Sequence, residues 1–138
     1  MSIKILAWNS QSLKPKIPEL SRLIEKNKFN IILISETWLN EKIEIKIPNF
    51  HCYRNDRPPT SRFPHGGVAI LIHKSIEHKL IKKCKLEYIE SIFIKITNFS
   101  NFITIGSVYA PPSIPFQKFK NDITKLLSLT GPSVIAGD

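Results

Sequence analysis

The run Ile31-Ile32-Leu33-Ile34-Ser35 constrains the fold of this 138-residue chain more than any other feature. A strand with one wet face alternates apolar and polar residues, whereas one covered on both faces is apolar throughout. So short a run therefore predicts a buried strand. Residues 3–8 alternate and predict an earlier strand. Between the two, Pro18 is placed to open a helix, since an early helical position needs no hydrogen-bonded amide. Leu20, Leu23 and Ile24 would share one face of that helix, and Lys26 and Lys28 would suit the negative end of its dipole. The order strand, helix, strand indicates an α/β layer arrangement.

Residues 40–64, with Pro48, Pro58, Pro59 and Pro64, read as a long surface loop with one short strand near 50–54. Loops this long in compact domains are uncommon and often functional. Gly66-Gly67 closes it, and Val68–His73 and 76–83 read as strands. Residues 90–97 alternate, 98–101 form a hairpin turn and 102–109 return. Pro111-Pro112 breaks that strand, and Pro115 opens a second helix with Phe116, Phe119, Ile123, Leu126 and Leu127 on one face. Gly131-Pro132 stops the helix and 133–136 form a final strand. The middle is thus a mostly antiparallel sheet flanked by helix-linked strands, without internal repeats.

Composition excludes several classes. Hydrophobic residues at 42% and charged residues at 22% suit a packed protein, not a disordered one. Five Gly and two Cys exclude collagen and a disulfide scaffold. No apolar run approaches the roughly 20 residues of a membrane span, and the start lacks the features of a signal peptide. An intracellular protein is expected, with no membrane partner, Cys52 and Cys84 as free thiols and the Asn98-Phe99-Ser100 sequon unmodified. Twenty Lys+Arg against 11 Asp+Glu give a net charge of +9, which suits a polyanionic partner. Sixteen of the basic residues are Lys, which supply phosphate attraction more than base reading. Lys82, Lys83 and Lys85, and the Lys118, Lys120 and Lys125 group, read as solvated faces. His51 and His65 in the long loop, and His73 and His78 on or beside strands, match no metal-ligand spacing and read as surface or packing residues.

Four polar residues share one position. Asn9, Glu36, Tyr109 and Asp138 each stand at the C-terminal end of an apolar strand. In layered α/β proteins ligand sites gather at such ends, where rigid backbone meets adaptable loops. Two carboxylates and an amide suit a hard, oxygen-seeking cation such as Mg²⁺, which is commonly held by one or two carboxylates plus water and phosphate oxygens.

The runs around these residues carry a resemblance. In order they are Trp8-Asn9, Leu33-Ile34-Ser35-Glu36-Thr37-Trp38-Leu39, Arg54-Asn55-Asp56-Arg57, Gly66-Gly67-Val68-Ala69-Ile70-Leu71-Ile72, Ser107-Val108-Tyr109-Ala110-Pro111-Pro112 and Ala136-Gly137-Asp138. The series resembles the apurinic-endonuclease-like domain at the start of non-LTR retrotransposon polyproteins of the jockey or LINE type. That domain belongs to the endonuclease/exonuclease/phosphatase superfamily. The Ser-Glu-Thr-Trp-Leu run and the Asp-Arg followed by Gly-Gly-Val-Ala-Ile are the most specific pieces.

The resemblance implies a four-layered α/β sandwich of two packed, mostly antiparallel sheets flanked by helices, of which residues 1–138 would be the N-terminal part of one truncated domain. It implies that Glu36 is the principal metal-binding residue and that Asn9 lies near the metal, Mg²⁺ or alternatively Mn²⁺. Tyr109 would contact the scissile phosphate, and Asp138 would orient or deprotonate the attacking water. Arg54 and Arg57 would contact the DNA backbone or anchor the loop; Arg62 lies in the same loop. Trp38 would pack beneath the site. The implied reaction is hydrolysis of a DNA phosphodiester in the nucleus, leaving a 3′-hydroxyl that primes reverse transcription of the element's RNA. Element RNA and reverse transcriptase would be partners only through a full-length polyprotein. The resemblance also implies a later asparagine, a Ser-Asp-His segment and further strands, none of them in this sequence, so the isolated chain is expected to lack cleavage activity and to leave a sheet edge and an apolar face bare. Two other readings stay open: a superfamily phosphodiesterase acting on abasic sites, a phosphoinositide or sphingomyelin, and a non-catalytic nucleic-acid-binding or inert remnant.

Overall fold

A computed structural model describes residues 2–58, 65–81, 86–97, 101–128 and 131–138. Arg62, Pro59, Pro64, the 82–85 basic cluster with Cys84, and the 98–100 turn and sequon lie outside the described residues. The elements in chain order are β1 (Ile5–Asn9), a 3-10 turn (Lys14–Lys16), α1 (Ile17–Asn27), β2 (Ile31–Ser35), β3 (Phe50–Asn55), β4 (Val68–His73), β5 (His78–Ile81), β6 (Glu90–Ile96), β7 (Ile103–Tyr109), α2 (Phe116–Leu127) and β8 (Ser133–Gly137).

Two four-stranded sheets face each other, in the orders β1-β2-β4-β3 and β5-β6-β7-β8. Each is antiparallel except for one pair at its edge. There β1 pairs parallel with β2, and β7 pairs parallel with β8. Each parallel pair is joined through a helix, as a parallel connection requires. The apolar run of β2 is explained by this layering. Ile31 and Leu33 point into the core between the sheets, against Ile92, Ile94 and Ile105. Ile32 and Ile34 point the other way, onto Leu20 and Ile24 of α1 and onto Leu39, Ile45 and Ile47 of the following loop. In β4, Val68, Ile70 and Ile72 face inward and Ala69 and Leu71 outward. The outer face of the second sheet packs Phe93 against Leu126 of α2. The resulting order is helix with loop, sheet, sheet, helix: the four-layered α/β sandwich that the resemblance implies.

Several details differ from expectation. The first strand runs 5–9, and β5 begins at His78, two residues later than expected. The short strand expected near 50–54 is β3, and it carries His51 and Arg54. Leu23 is 41% exposed, because α1 meets its sheet along the narrower line of Leu20 and Ile24. The second helix departs most: Phe116 is 76% exposed and Leu127 81%. Its buried residues are Leu126 and a carboxylate, Asp122. The reason is a hydrogen-bonding demand. Asp122 accepts the backbone N–H groups of Glu87 (3.1 Å), Tyr88 (2.7 Å) and Ile89 (2.8 Å), which turns that side of α2 inward.

β1 and β8 are the outer strands of the two sheets on one side of the sandwich, where they approach each other. No helix among the described residues is long and apolar enough to cross a membrane.

Candidate active site

Parallel pairing places strand ends of like direction together. Asn9 ends β1 opposite Ser35 at the end of β2, so Glu36 follows immediately beside it. In the facing sheet Val108 of β7 pairs with Gly137 of β8, which sets Tyr109 next to Asp138. The Ala110 N–H donates to the Asp138 carbonyl at 2.8 Å and continues this ladder. Gly137 is required here, since a Cβ at that position would collide with the Val108 carbonyl. Beneath the site the buried Ser107 hydroxyl donates to the Ile34 carbonyl at 2.9 Å and ties one sheet to the other.

The four residues converge through two hydrogen bonds that both cross between the sheets. The Asn9 amide Nδ2 donates to Asp138 Oδ2 at 2.6 Å. The Tyr109 hydroxyl donates to Glu36 Oε1 at 2.7 Å. Burial, then the hydrogen bond and charge of Glu36, push the Tyr109 phenol up to about 12. Tyr109 is therefore a neutral hydrogen-bond donor across the physiological range.

The backbone carrying Glu36 is strained. Glu36 and Trp38 adopt left-handed conformations (φ 51° and 53°), as do the neighbouring Gln11 and Ser12 (42° and 83°). A non-glycine residue held there costs roughly 1–3 kcal/mol and persists only where its surroundings over-determine it. They do so from both sides. Ser12 N donates to the Glu36 carbonyl and Leu13 N to the Thr37 carbonyl, each at 3.0 Å. On the other flank Thr37 N donates to the Gly67 carbonyl (3.2 Å) and Trp38 N to that of Gly66 (2.8 Å). The expected Gly-Gly pair thus serves as the second wall of the Glu36 turn. The ring of Trp38 packs against His65, with centroids 4.1 Å apart.

Arg54 and Arg57 separate in role. Arg54 donates twice to the Asp56 carboxylate (3.0 and 2.6 Å) and also to the carbonyls of Ile43 and Asn40, which holds the two loops together. Arg57 lies nearer the four converging residues, with its Cζ 6.0 Å from the centre of the Tyr109 ring. Its Nε donates to Glu90 Oε1 at 2.7 Å. Gly66 makes room for this arrangement, since any Cβ there would strike the guanidinium.

Glu90 was not singled out in the sequence, although the hairpin carries the signal. Pairing 90–97 with 102–109 about the intervening turn sets Glu90 opposite Tyr109, and the structure has that register. Of the histidines, His73 and His78 lie at the other end of the strands, and His51 shares a ring cluster with Tyr53 and His78. Among the described residues, none hydrogen-bonds to any of the four.

The site offers only oxygen and amide donors. Among the described residues no three His, Cys, Asp or Glu side chains gather as an all-protein cage. This donor set fits a hard divalent cation held mainly through Glu36, with the rest of its shell supplied by water and ligand oxygens.

The sequence profile of the Endonuclease/Exonuclease/phosphatase family matches residues 6–138. The chain belongs to that family. It is 27% identical over 141 residues to the probable RNA-directed DNA polymerase from transposon X-element of Drosophila melanogaster, across 100% of this chain and 15% of that protein. It is 22% identical to the corresponding protein of transposon BS from the same organism, across 98% of this chain and 15% of that one. Among solved structures, the endonuclease domain of TRAS1, a telomere-specific non-LTR retrotransposon, superposes with a TM-score of 0.75 at 17% identity, covering 99% of this chain and 59% of that one. An AP endonuclease from Archaeoglobus fulgidus gives 0.65 at 19% identity, over 99% and 57%. This family member therefore spans about a seventh of the curated relatives' length and somewhat over half of the similar domains.

Proposed function

We propose that this chain carries the metal-binding and phosphate-facing part of a DNA endonuclease that nicks target DNA for target-primed reverse transcription of a non-LTR retrotransposon. The observation that carries this reading is the convergence of Asn9, Glu36, Tyr109 and Asp138 from four strands in two sheets, held by the Asn9–Asp138 and Tyr109–Glu36 hydrogen bonds.

Each residue then has a task. Glu36 would hold Mg²⁺, or Mn²⁺ in its place, with Asn9 at the edge of that site. When bound there, such a cation would supply Lewis-acid polarisation of a phosphoryl group and stabilisation of charge on the leaving oxygen. The neutral Tyr109 hydroxyl donates to a phosphate oxygen where negative charge develops. Asp138, exposed and oriented by Asn9, accepts a proton from the attacking water or fixes its lone pair. Arg57 lies along the path of the DNA backbone, and the excess of lysines adds attraction independent of sequence. Arg54 acts as a loop anchor. The setting is the nucleus, with element RNA and reverse transcriptase reached through a longer polyprotein of which these residues form part of one domain.

The 138-residue chain alone is expected to bind DNA without cleaving it, since no imidazole among the described residues reaches the site. The test combines duplex binding, followed by fluorescence anisotropy across a salt series, with Mg²⁺-dependent nicking of supercoiled plasmid. Salt-sensitive binding without nicking is the expected result. Nicking abolished by Glu36→Ala would overturn the expected inactivity while keeping the site. Absence of binding even at low salt would overturn the DNA reading.

A further inference from the structure

Glu90 lies outside the four converging residues, yet its carboxylate reaches the surroundings of Glu36 by two routes. Through Oε1 it accepts Arg57 Nε at 2.7 Å, and the Arg57 guanidinium lies over the ring of Tyr109, whose hydroxyl binds Glu36 Oε1. Through Oε2 it accepts the Gly67 N–H at 2.9 Å, and the Gly67 carbonyl accepts Thr37 N–H at 3.2 Å, the residue after Glu36. One route ends on the side chain of Glu36 and the other on its backbone. Glu90 and Arg57 form an ion pair whose side chains are only 18% and 15% exposed, so the pair is partly withdrawn from solvent screening. Glu90 also stands opposite Tyr109 in the β6–β7 register, which fixes the lateral position of both.

We propose that Glu90 is a positioning residue, which presets the Glu36 carboxylate for a divalent cation by holding Arg57 against Tyr109 and Gly67 against the Glu36 turn. The proposal rests on the reading of Glu36 as the metal-binding carboxylate. A carboxylate suits this task and an amide does not. Both Arg57 Nε and Gly67 N are donors, so two acceptor oxygens are needed, and glutamine would turn its NH₂ toward one of them. Groups that orient a metal ligand without touching the metal typically change metal affinity by about 10–100-fold when removed.

The test is Mn²⁺ binding to the 138-residue chain, read from the electron paramagnetic resonance signal of free Mn²⁺, so no catalysis is needed. Glu90→Gln is expected to weaken binding by about tenfold, the low end of that range, since one of its two hydrogen bonds survives. Glu36→Gln is expected to abolish it. Leu20→Ala, a buried change on the inner face of α1 at the outer side of the first sheet, is the stability control and leaves the affinity of the folded protein unchanged. A double-mutant cycle adds a readout that general loosening would not give: in an Arg57→Ala background the Glu90→Gln effect shrinks to the Gly67 route alone. Should Glu90→Gln fail to fold, Arg57→Lys tests the Tyr109 route with the charge retained, and about threefold weakening is expected. Loss of binding in Glu36→Gln with wild-type affinity in Glu90→Gln, or in Arg57→Lys where that stands in, would overturn the positioning role. Unchanged binding in Glu36→Gln would overturn the metal reading itself and the proposal with it.

Discussion

Replacing Asp122 removes one carboxylate that satisfies three backbone donors, those of Glu87, Tyr88 and Ile89. Asp122 is 1% exposed, so its hydrogen bonds are made largely out of water. A hydrogen bond to a charged group contributes roughly 1.5–3 kcal/mol, but exposed donors recover much of that from solvent. Glu87 and Tyr88 are exposed and Ile89 is buried. The Ile89 bond therefore contributes most, and removal of the buried charge offsets part of the loss. Asp122→Ala is thus expected to cost about 3 kcal/mol, or a fall in Tm of about 10 °C at this chain length. Asp122→Asn keeps one acceptor oxygen and is expected to cost about half as much. The acid dependence supplies a second check. Burial pushes the Asp122 carboxyl up, yet the N–H groups of Ile89, Tyr88 and Glu87 and the charge of Lys125 outweigh it, so the group titrates below its ordinary value of 3.8. The unfolded chain therefore takes up the proton first as pH falls, and the stability supplied by Asp122 is full above 3.8 and lost as pH drops through the lowered folded value. Urea unfolding of wild type and Asp122→Asn from pH 7 down to pH 3 measures the gap directly. A gap near zero at pH 7, or one that does not narrow in acid, would refute the reasoning.

Three further outcomes follow from the same structure. Burial, the largest cause of the raised Tyr109 phenol, persists in Glu36→Gln, but the carboxylate charge is gone, so the Tyr109 midpoint in an ultraviolet titration should fall below about 12. Gly137→Ala drives a methyl into the Val108 carbonyl and should destabilise the β7–β8 pairing by about 2–3 kcal/mol in chemical denaturation. Arg57→Ala should weaken DNA binding by a similar factor for all sequences and reduce the slope of log K against log salt by about 1.

The layered core was legible because burial on two faces leaves a mark that period and length reveal. Ile31–Ser35 and Val68–His73 read as strands and form them with the same bounds. The first helix was legible from Pro18 and from Leu20 and Ile24. The second helix was legible too, and Leu126 and Ile123 face inward as expected, but its inward line is not marked by apolarity alone: Asp122 faces inward to meet a hydrogen-bonding demand, while Phe116 and Leu127 stay exposed. That demand arises in residues more than thirty positions away and leaves no periodic trace. Strand ends nominated Asn9, Glu36, Tyr109 and Asp138, but pattern alone could not say that they meet. Their meeting depends on how the two sheets face each other, which is not a property of any local stretch. The separate roles of Arg54 and Arg57 were hidden for the same reason: one finds Asp56 two residues away, the other Glu90 at the start of β6 in the facing sheet.

The location of the convergence has a physical cause. An antiparallel pair sets the end of one strand beside the start of another, whereas a parallel pair brings two C-terminal ends together. Each sheet has one parallel pair, on the same side of the sandwich. One pair presents Asn9 and Glu36, the other Tyr109 and Asp138. Both hydrogen bonds among the four then cross from one sheet to the other, so the polar cluster also pins the two sheets at that end. An ionised carboxylate has about four lone-pair sites, and Tyr109 occupies only one on Glu36. Glu36 can therefore keep its hold on Tyr109 while its remaining lone pairs stay available, and the contact that pins the sheets is also the one that aims the carboxylate.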